Sequence, residues 1–167
     1  MAENTLDESL ANGVHADLNR YCGNWEGTAK VWFGKDNVAD ESPVKGSIRP
    51  LLGGRFILHE YEGTFQGKPL QGFGIFGYHL KSGKFQSAWV DSFHMGTEIL
   101  FSEGDPGAEK HSVLAHYKTW GYEPLQTWGW RTELEMTDDD HILVTAYNIE
   151  PGAEEQIATQ SVYHRVK

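Results

Sequence analysis

The sequence predicts an all-β protein: an antiparallel up-and-down barrel of about ten strands behind a short N-terminal helix. Three observations predict it. Nineteen glycines and an aromatic content of 13% accompany few long helical patterns, the composition of a chain with many turns. The stretch Gly53 to Phe93 writes three consecutive strands with their turns, Gln66-Gly67-Lys68-Pro69 and Lys81-Ser82-Gly83-Lys84, between runs of aromatic and β-branched residues. The other strands follow through hairpin connections with no internal repeat, and closing them into a barrel removes the sheet edges.

The central stretch also predicts a register. With Gly67-Lys68 and Ser82-Gly83 as two-residue loops, Tyr61 faces Gly74, which faces Asp91. Side chains alternate along a strand, so the same face carries His59, Phe76 and Trp89 in one row and Ile57, Tyr78 and Ser87 in the next. This face is taken as the interior. The opposite face mixes Glu60, Glu62, Gln71, Gln86 and His79 with an apolar group, Phe56, Leu58, Phe73, Ile75 and Val90. Strands spaced about 4.8 Å apart put Tyr61 and Asp91 roughly 10 Å apart at the backbone, with a glycine between them that a tyrosine can lean across. Either they bond to each other and fix the register, or they form the polar floor of a pocket.

Taken in order, residues 1–11 are polar and read as a disordered tail, leaving 12–167 as one domain. From Asn12, Val14, Leu18 and Tyr21 recur at helical spacing up to Gly23, a helix too short to stand alone and expected to pack across an open barrel end. The first strand opens on Gly23-Asn24-Trp25 and alternates through Ala29 and Val31 to Phe33. Ser42 to Leu52 is a second strand whose Pro43 and Pro50 suit an edge or a strand end. After the meander come strands at Thr97 to Phe101 and His111 to Trp120, separated by a polar loop. Trp128 to Met136 shows the cleanest alternation, with apolar residues at even positions except Thr132. Asp138-Asp139-Asp140 turns the chain into His141 to Ile149, without the spaced ligands of a calcium loop, and Pro151-Gly152 leads to the last strand, Glu155 to Val166.

The Gly-x-Trp at Gly23 and Trp25, behind a short helix, is similar to the opening of the calycins, the superfamily of lipocalins and fatty-acid-binding proteins. Leu52-Gly53-Gly54-Arg55-Phe56, Tyr61-x-Gly63, Gly67-Lys68-Pro69, Gly72-x-Gly74, Gly77-Tyr78 and Trp89-x-Asp91-Ser92, with the closing Tyr163-His164-Arg165, resemble the bacterial family called domain of unknown function 1579. The chain departs from that pattern at His79, where the family places an acid. The resemblance implies a calycin-like barrel and carries no established activity. It also implies a closing contact in which Arg165 stacks on the Trp25 indole, a cation–π contact worth about 0.5 to 2 kcal/mol.

Composition excludes several roles. A net charge of −10 argues against nucleic acid and anionic membrane surfaces, which call for a basic patch. Cys22 is the single cysteine, so no intramolecular disulfide forms and nothing points to an oxidising compartment. The acidic opening segment lacks the basic and apolar regions of a signal peptide, and no run suits a membrane span, so the expectation is a soluble, cytoplasmic protein.

The expected role is binding of a small, mostly apolar molecule in the barrel interior. Ile57, Phe76, Tyr78, Trp89 and Trp130 supply the walls, while His59, Tyr61 and Asp91 orient a polar end. An enzyme using His59, Asp91 and Tyr61 is the alternative from another class, and a barrel filled by its own side chains is a third. Neither a catalytic residue nor a cofactor is assigned. His111 and His116 fall on opposite faces of one strand and no His-x-His pair exists, so no metal is assigned either. Because the calycin resemblance includes histidine-ligated haem proteins, His59, His94, His116 and His164 are the axial ligands to consider. The apolar outer group Phe56, Leu58, Phe73, Ile75 and Val90 predicts a homodimer face.

Overall fold

The computed structural model describes residues 5–167. Helices α1 (Leu6–Asn12) and α2 (Val14–Asn19) precede ten strands: β1 (Gly23–Trp32), β2 (Val38–Leu51), β3 (Phe56–Phe65), β4 (Lys68–His79), β5 (Lys84–Asp91), β6 (Leu100–Glu103), β7 (His111–Lys118), β8 (Thr127–Asp138), β9 (His141–Ile149) and β10 (Gln156–Arg165). Each strand pairs with its sequence neighbours and β1 pairs with β10, giving a closed antiparallel up-and-down barrel. Among the described residues no helix is long and apolar enough to cross a membrane.

The N-terminal segment departs from the expected tail. Residues 1–4 lie outside the described residues, but Leu6–Asn12 is helical because Thr5 and Glu8 form a reciprocal capping box: the Glu8 amide donates to Thr5 Oγ1 at 3.3 Å and the Thr5 amide to the Glu8 carboxylate at 2.8 Å. Gly13 breaks the chain into α2, whose Leu18 packs into the core beneath. Asn19 donates to the Gly54 carbonyl at 2.9 Å and Tyr21 to that of Leu134 at 3.4 Å, so the helices lie over the barrel end that carries the β2–β3 and β8–β9 turns.

The register differs from the expected one by two residues at each hairpin. Phe65 pairs with Lys68, so the first loop is Gln66-Gly67, both with positive φ (48° and 77°) as the tight turn requires. His79 pairs with Lys84, which leaves a four-residue loop ending at Gly83. Tyr61 therefore faces Gly72, not Gly74, and Gly72 faces Asp91; His59, Gly74 and Trp89 form the next row, then Ile57, Phe76 and Ser87. A shift of two keeps every side chain on its face, and the two shifts cancel between β3 and β5. The glycine between Tyr61 and Asp91 is thus a different glycine in the same place.

Pro43 pairs with Thr28 of β1 just before the β3 ladder begins at Val44, and Pro50 pairs with Ile57 of β3 just past the end of the β1 ladder at Ile48, so each proline sits where β2 is paired on one side, at a strand end as expected. Closure depends on Gly27, where a Cβ would sit 1.8 Å from the Val162 carbonyl oxygen, and on Arg165, whose guanidinium lies 4.2 Å from the centroid of the Trp25 ring. Arg165 also donates to the Cys22 carbonyl at 2.8 Å. The core forms one large cluster containing Trp25, Ile57, Phe85, Ile142 and Tyr163, a second around Trp130, and a small third of Val31, Phe65 and Leu70.

Candidate functional site

An internal cavity of about 90 Å³ draws its walls from all three clusters: Phe76 and Val44 from the first, Trp130 and Ala146 from the second, Val31 and Leu70 from the third. Period-two alternation puts these side chains there, together with small hydroxyl residues such as Ser87, Thr132 and Ser161. At about 30 Å³ per water the space holds roughly three waters, which suits a small ligand.

Polar rings come from β3 and from the turn after β5. Tyr61 lies across Gly72 so closely that a Cβ there would meet its ring at 2.1 Å, and its hydroxyl accepts a hydrogen bond from Trp89 Nε1 at 2.8 Å. Burial, reinforced by the negative charge of Asp91, pushes the Tyr61 pKa well up, so the phenol keeps its proton. Asp91 also acts on Tyr61 as a nearby hydrogen-bond acceptor, although the bonds it makes at ordinary length go to Phe93 and His94. His59 Nε2 sits 3.1 Å from the Tyr163 hydroxyl, and burial pushes the imidazole pKa down to about 4, leaving a neutral ring.

Asp91 is engaged elsewhere. Its Oδ1 accepts from the backbone amides of Phe93 at 3.0 Å and His94 at 2.6 Å, and its Oδ2 accepts from the His94 ring. Burial alone would raise the carboxyl pKa, but the bonds from His94 and Phe93 outweigh it and hold the group below the usual range. An ionised carboxylate only accepts, so Nδ1 of His94 carries the hydrogen, and in the neutral ring Nε2 is then the acceptor. That buried Nε2 has no hydrogen-bond partner among the described residues. The His94 ring lies 5.3 Å from Trp89 and 5.6 Å from Trp130, which stack on each other at 5.4 Å and 12°. The cavity wall therefore holds a spare donor, the Tyr61 hydroxyl, and a spare acceptor, His94 Nε2. A histidine oriented by a carboxylate is also competent to accept a proton from a substrate.

Of the residues expected to bind a ligand, His59, Tyr61, Phe76, Trp89 and Trp130 line the cavity. Ile57 is instead fully buried in the core, Tyr78 packs on Phe85 at 5.0 Å, and Asp91 stands behind His94. The Asp91–His59 pair on which the enzyme alternative rested is not formed: Asp91 bonds to His94 and His59 to Tyr163. The signal was Asp-x-x-His at the end of a strand, where an aspartate caps the turn through the amides two and three residues on. Of the four histidines considered for haem, His59 is bonded to Tyr163, while His116 and His164 are exposed. His94 remains. Among the described residues no group of three or more His, Cys, Asp or Glu side chains is placed to hold a metal ion.

On the outer face, Leu58, Ile75, Ala88 and Phe101 form one row across β3 to β6, beside Phe73 and Val90. Phe73 and Phe101 are 46% and 58% exposed.

The family described as a protein of unknown function (DUF1579) matches residues 11–165. No curated protein matches the chain. Among solved structures, Rv2717c from M. tuberculosis is similar with a TM-score of 0.60 at 14% identity, covering 91% of this chain and 96% of that one. The S-type phycobiliprotein lyase CPES from Guillardia theta is similar at 12% identity and a TM-score of 0.49, covering 92% of this chain and 93% of its own. The first likeness is one of fold.

Proposed function

The chain belongs to the DUF1579 family, and we propose that its barrel binds a small, mostly apolar molecule with a hydroxyl-like polar end. One observation carries this reading: a cavity walled by the Trp89–Trp130 stack and aliphatic side chains is lined both by His94, with its unpartnered Nε2, and by Tyr61. An unsatisfied buried acceptor costs about 1 to 3 kcal/mol, and a ligand hydroxyl that donates to Nε2 and accepts from Tyr61 recovers it. The aromatic walls supply the apolar contact.

The test is native mass spectrometry and an absorption spectrum on protein purified without refolding, followed by calorimetric titration with p-cresol. A small adduct that leaves on denaturation, or saturable p-cresol binding lost in W130A, supports the reading. A clean apo mass with no p-cresol binding refutes it, and a Soret band replaces it with haem ligation at His94. The Asp91–His94 pair also favours an enzymatic reading in which Nε2 is the base. That reading predicts a chemically changed ligand, with conversion abolished in H94Q.

The exposed row through Ile75 and Phe101 supports a homodimer joined by that face. The single free cysteine, Cys22, suits a reducing compartment such as the cytoplasm.

A further inference from the structure

A second cavity, of about 380 Å³, lies beneath α2 at the capped end of the barrel, on the side where β6 and β7 are joined by the single bridge Glu103 to Leu114. Leu18 and Tyr21 from the cap, Phe85 from β5 and Met136 from β8 give it apolar walls. His111, the first residue of β7, forms part of the wall. It is 5% exposed, its ring is wedged against Phe76 at 5.1 Å and Phe85 at 4.9 Å, and neither ring nitrogen has a hydrogen-bond partner among the described residues. Burial keeps that imidazole neutral, with its pKa pushed down to about 4, so across the neutral range one ring nitrogen is an acceptor and the other a donor.

The other polar groups around this cavity are mostly acceptors. Asp17, Glu109 and Glu135 line it and enter no ion pair among the described residues, while Glu133 is already held by Arg131. The Tyr21 hydroxyl is committed to the Leu134 carbonyl, and Lys110 is the one cation in the lining. Apolar walls, an unmatched neutral acceptor and surplus carboxylates select a ligand that brings an apolar body and N–H donors. A carboxylate or phosphate would meet repulsion, and a plain hydrocarbon would leave His111 unsatisfied.

We propose that the cavity beneath α2 is a second binding site, which takes a small organic cation of the alkylammonium class, its chain against Leu18, Tyr21, Phe85 and Met136 and its N–H donors shared between His111 and the carboxylates of Asp17, Glu109 and Glu135. It shares no lining residue with the interior cavity, so the two sites stand or fall separately.

The experiment is an NMR titration of the isotope-labelled full chain with n-hexylammonium chloride at fixed ionic strength, with n-hexanol and n-hexanoate as matched probes. Hexylammonium is expected to give saturable shifts at the Met136 methyl and the His111 ring nitrogens, leaving Trp89 and Trp130 unmoved. Hexanol is expected to bind about ten-fold more weakly or worse, since one charge-assisted hydrogen bond is worth at least about 1.4 kcal/mol, and hexanoate weaker still. The exposed-site variant E109Q/E135Q should weaken hexylammonium several-fold and leave hexanol unchanged. H111F should remove the ring-nitrogen interaction; if it fails to fold, the carboxylate variant carries the test. Equal affinity for hexanol and hexylammonium, indifference to E109Q/E135Q, or shifts confined to Trp89 and Trp130 would each overturn the proposal.

Discussion

Replacing Asp91 by asparagine tests the chemistry of the interior cavity most directly, because one oxygen pair sets both the turn and the His94 tautomer. In the folded protein the carboxylate accepts three hydrogen bonds, two from backbone amides and one from the His94 ring. Its side chain is 0% exposed, yet the group stays ionised because those bonds outweigh burial. Asparagine keeps an oxygen for the amides, but turns an N–H toward His94 Nδ1. The imidazole must then move its proton to Nε2, so the cavity loses its acceptor and gains a second donor. Hydrogen bonds to a charged group are worth about 1.5 to 3 kcal/mol against about 0.5 to 1.5 for neutral ones, a difference of about 1 to 1.5 kcal/mol per bond, so the two backbone bonds alone lose about 2 to 3 kcal/mol. For a chain of this length that is a fall in Tm of roughly 5 to 10 °C. The assay pairs thermal unfolding with the ¹⁵N shifts of the His94 ring, which report its tautomer. D91N is expected to show the destabilisation, a protonated Nε2 and at least about ten-fold weaker p-cresol binding. An unchanged tautomer together with an unchanged Tm would refute the reasoning, since the Asp91–His94 pair would then orient nothing.

Stability should also fall on mild acidification. His59 and His111 are held neutral by burial, with folded pKa values near 4 against an ordinary 6.5, so below pH 6.5 the unfolded chain binds protons that the folded one refuses. Each histidine is expected to withdraw about 3 kcal/mol as the pH falls from about 6.5 to about 4, and urea titrations at several pH values should show a shallower slope in H111F. The Asp91 carboxyl, whose folded pKa is lowered, adds a further loss below about pH 4, absent in D91N. Gly27→Ala forces a Cβ to within 1.8 Å of a backbone carbonyl that cannot give way, and is expected to cost about 3 kcal/mol or more in denaturant unfolding. For the dimer, sedimentation at micromolar concentration should give two chains for the wild type and one for F73E/F101E; a wild-type monomer would dispose of that interface.

The residues alone determined a good deal. Alternation with a period of two placed His59, Tyr61, Phe76 and Trp89 inward and Phe73 and Ile75 outward, and that assignment survives any even slip of register. Strand count and hairpin order followed from turn residues, because glycine and its neighbours are needed where φ turns positive. Tertiary structure decided the rest. Which residue pivots each hairpin depends on φ at Gln66 and on the length of the loop before Lys84, both settled by how the neighbouring strands pack. Helix α1 rests on a reciprocal cap between Thr5 and Glu8 that a polar composition conceals. His94 owes its place to two things that no single stretch of sequence contains: the turn that Asp91 caps, and barrel closure, which carries Trp130 from β8 across the interior to Trp89 on β5. Contacts along one strand follow from spacing, but contacts across the barrel follow from its circumference, and that is fixed only when β1 meets β10.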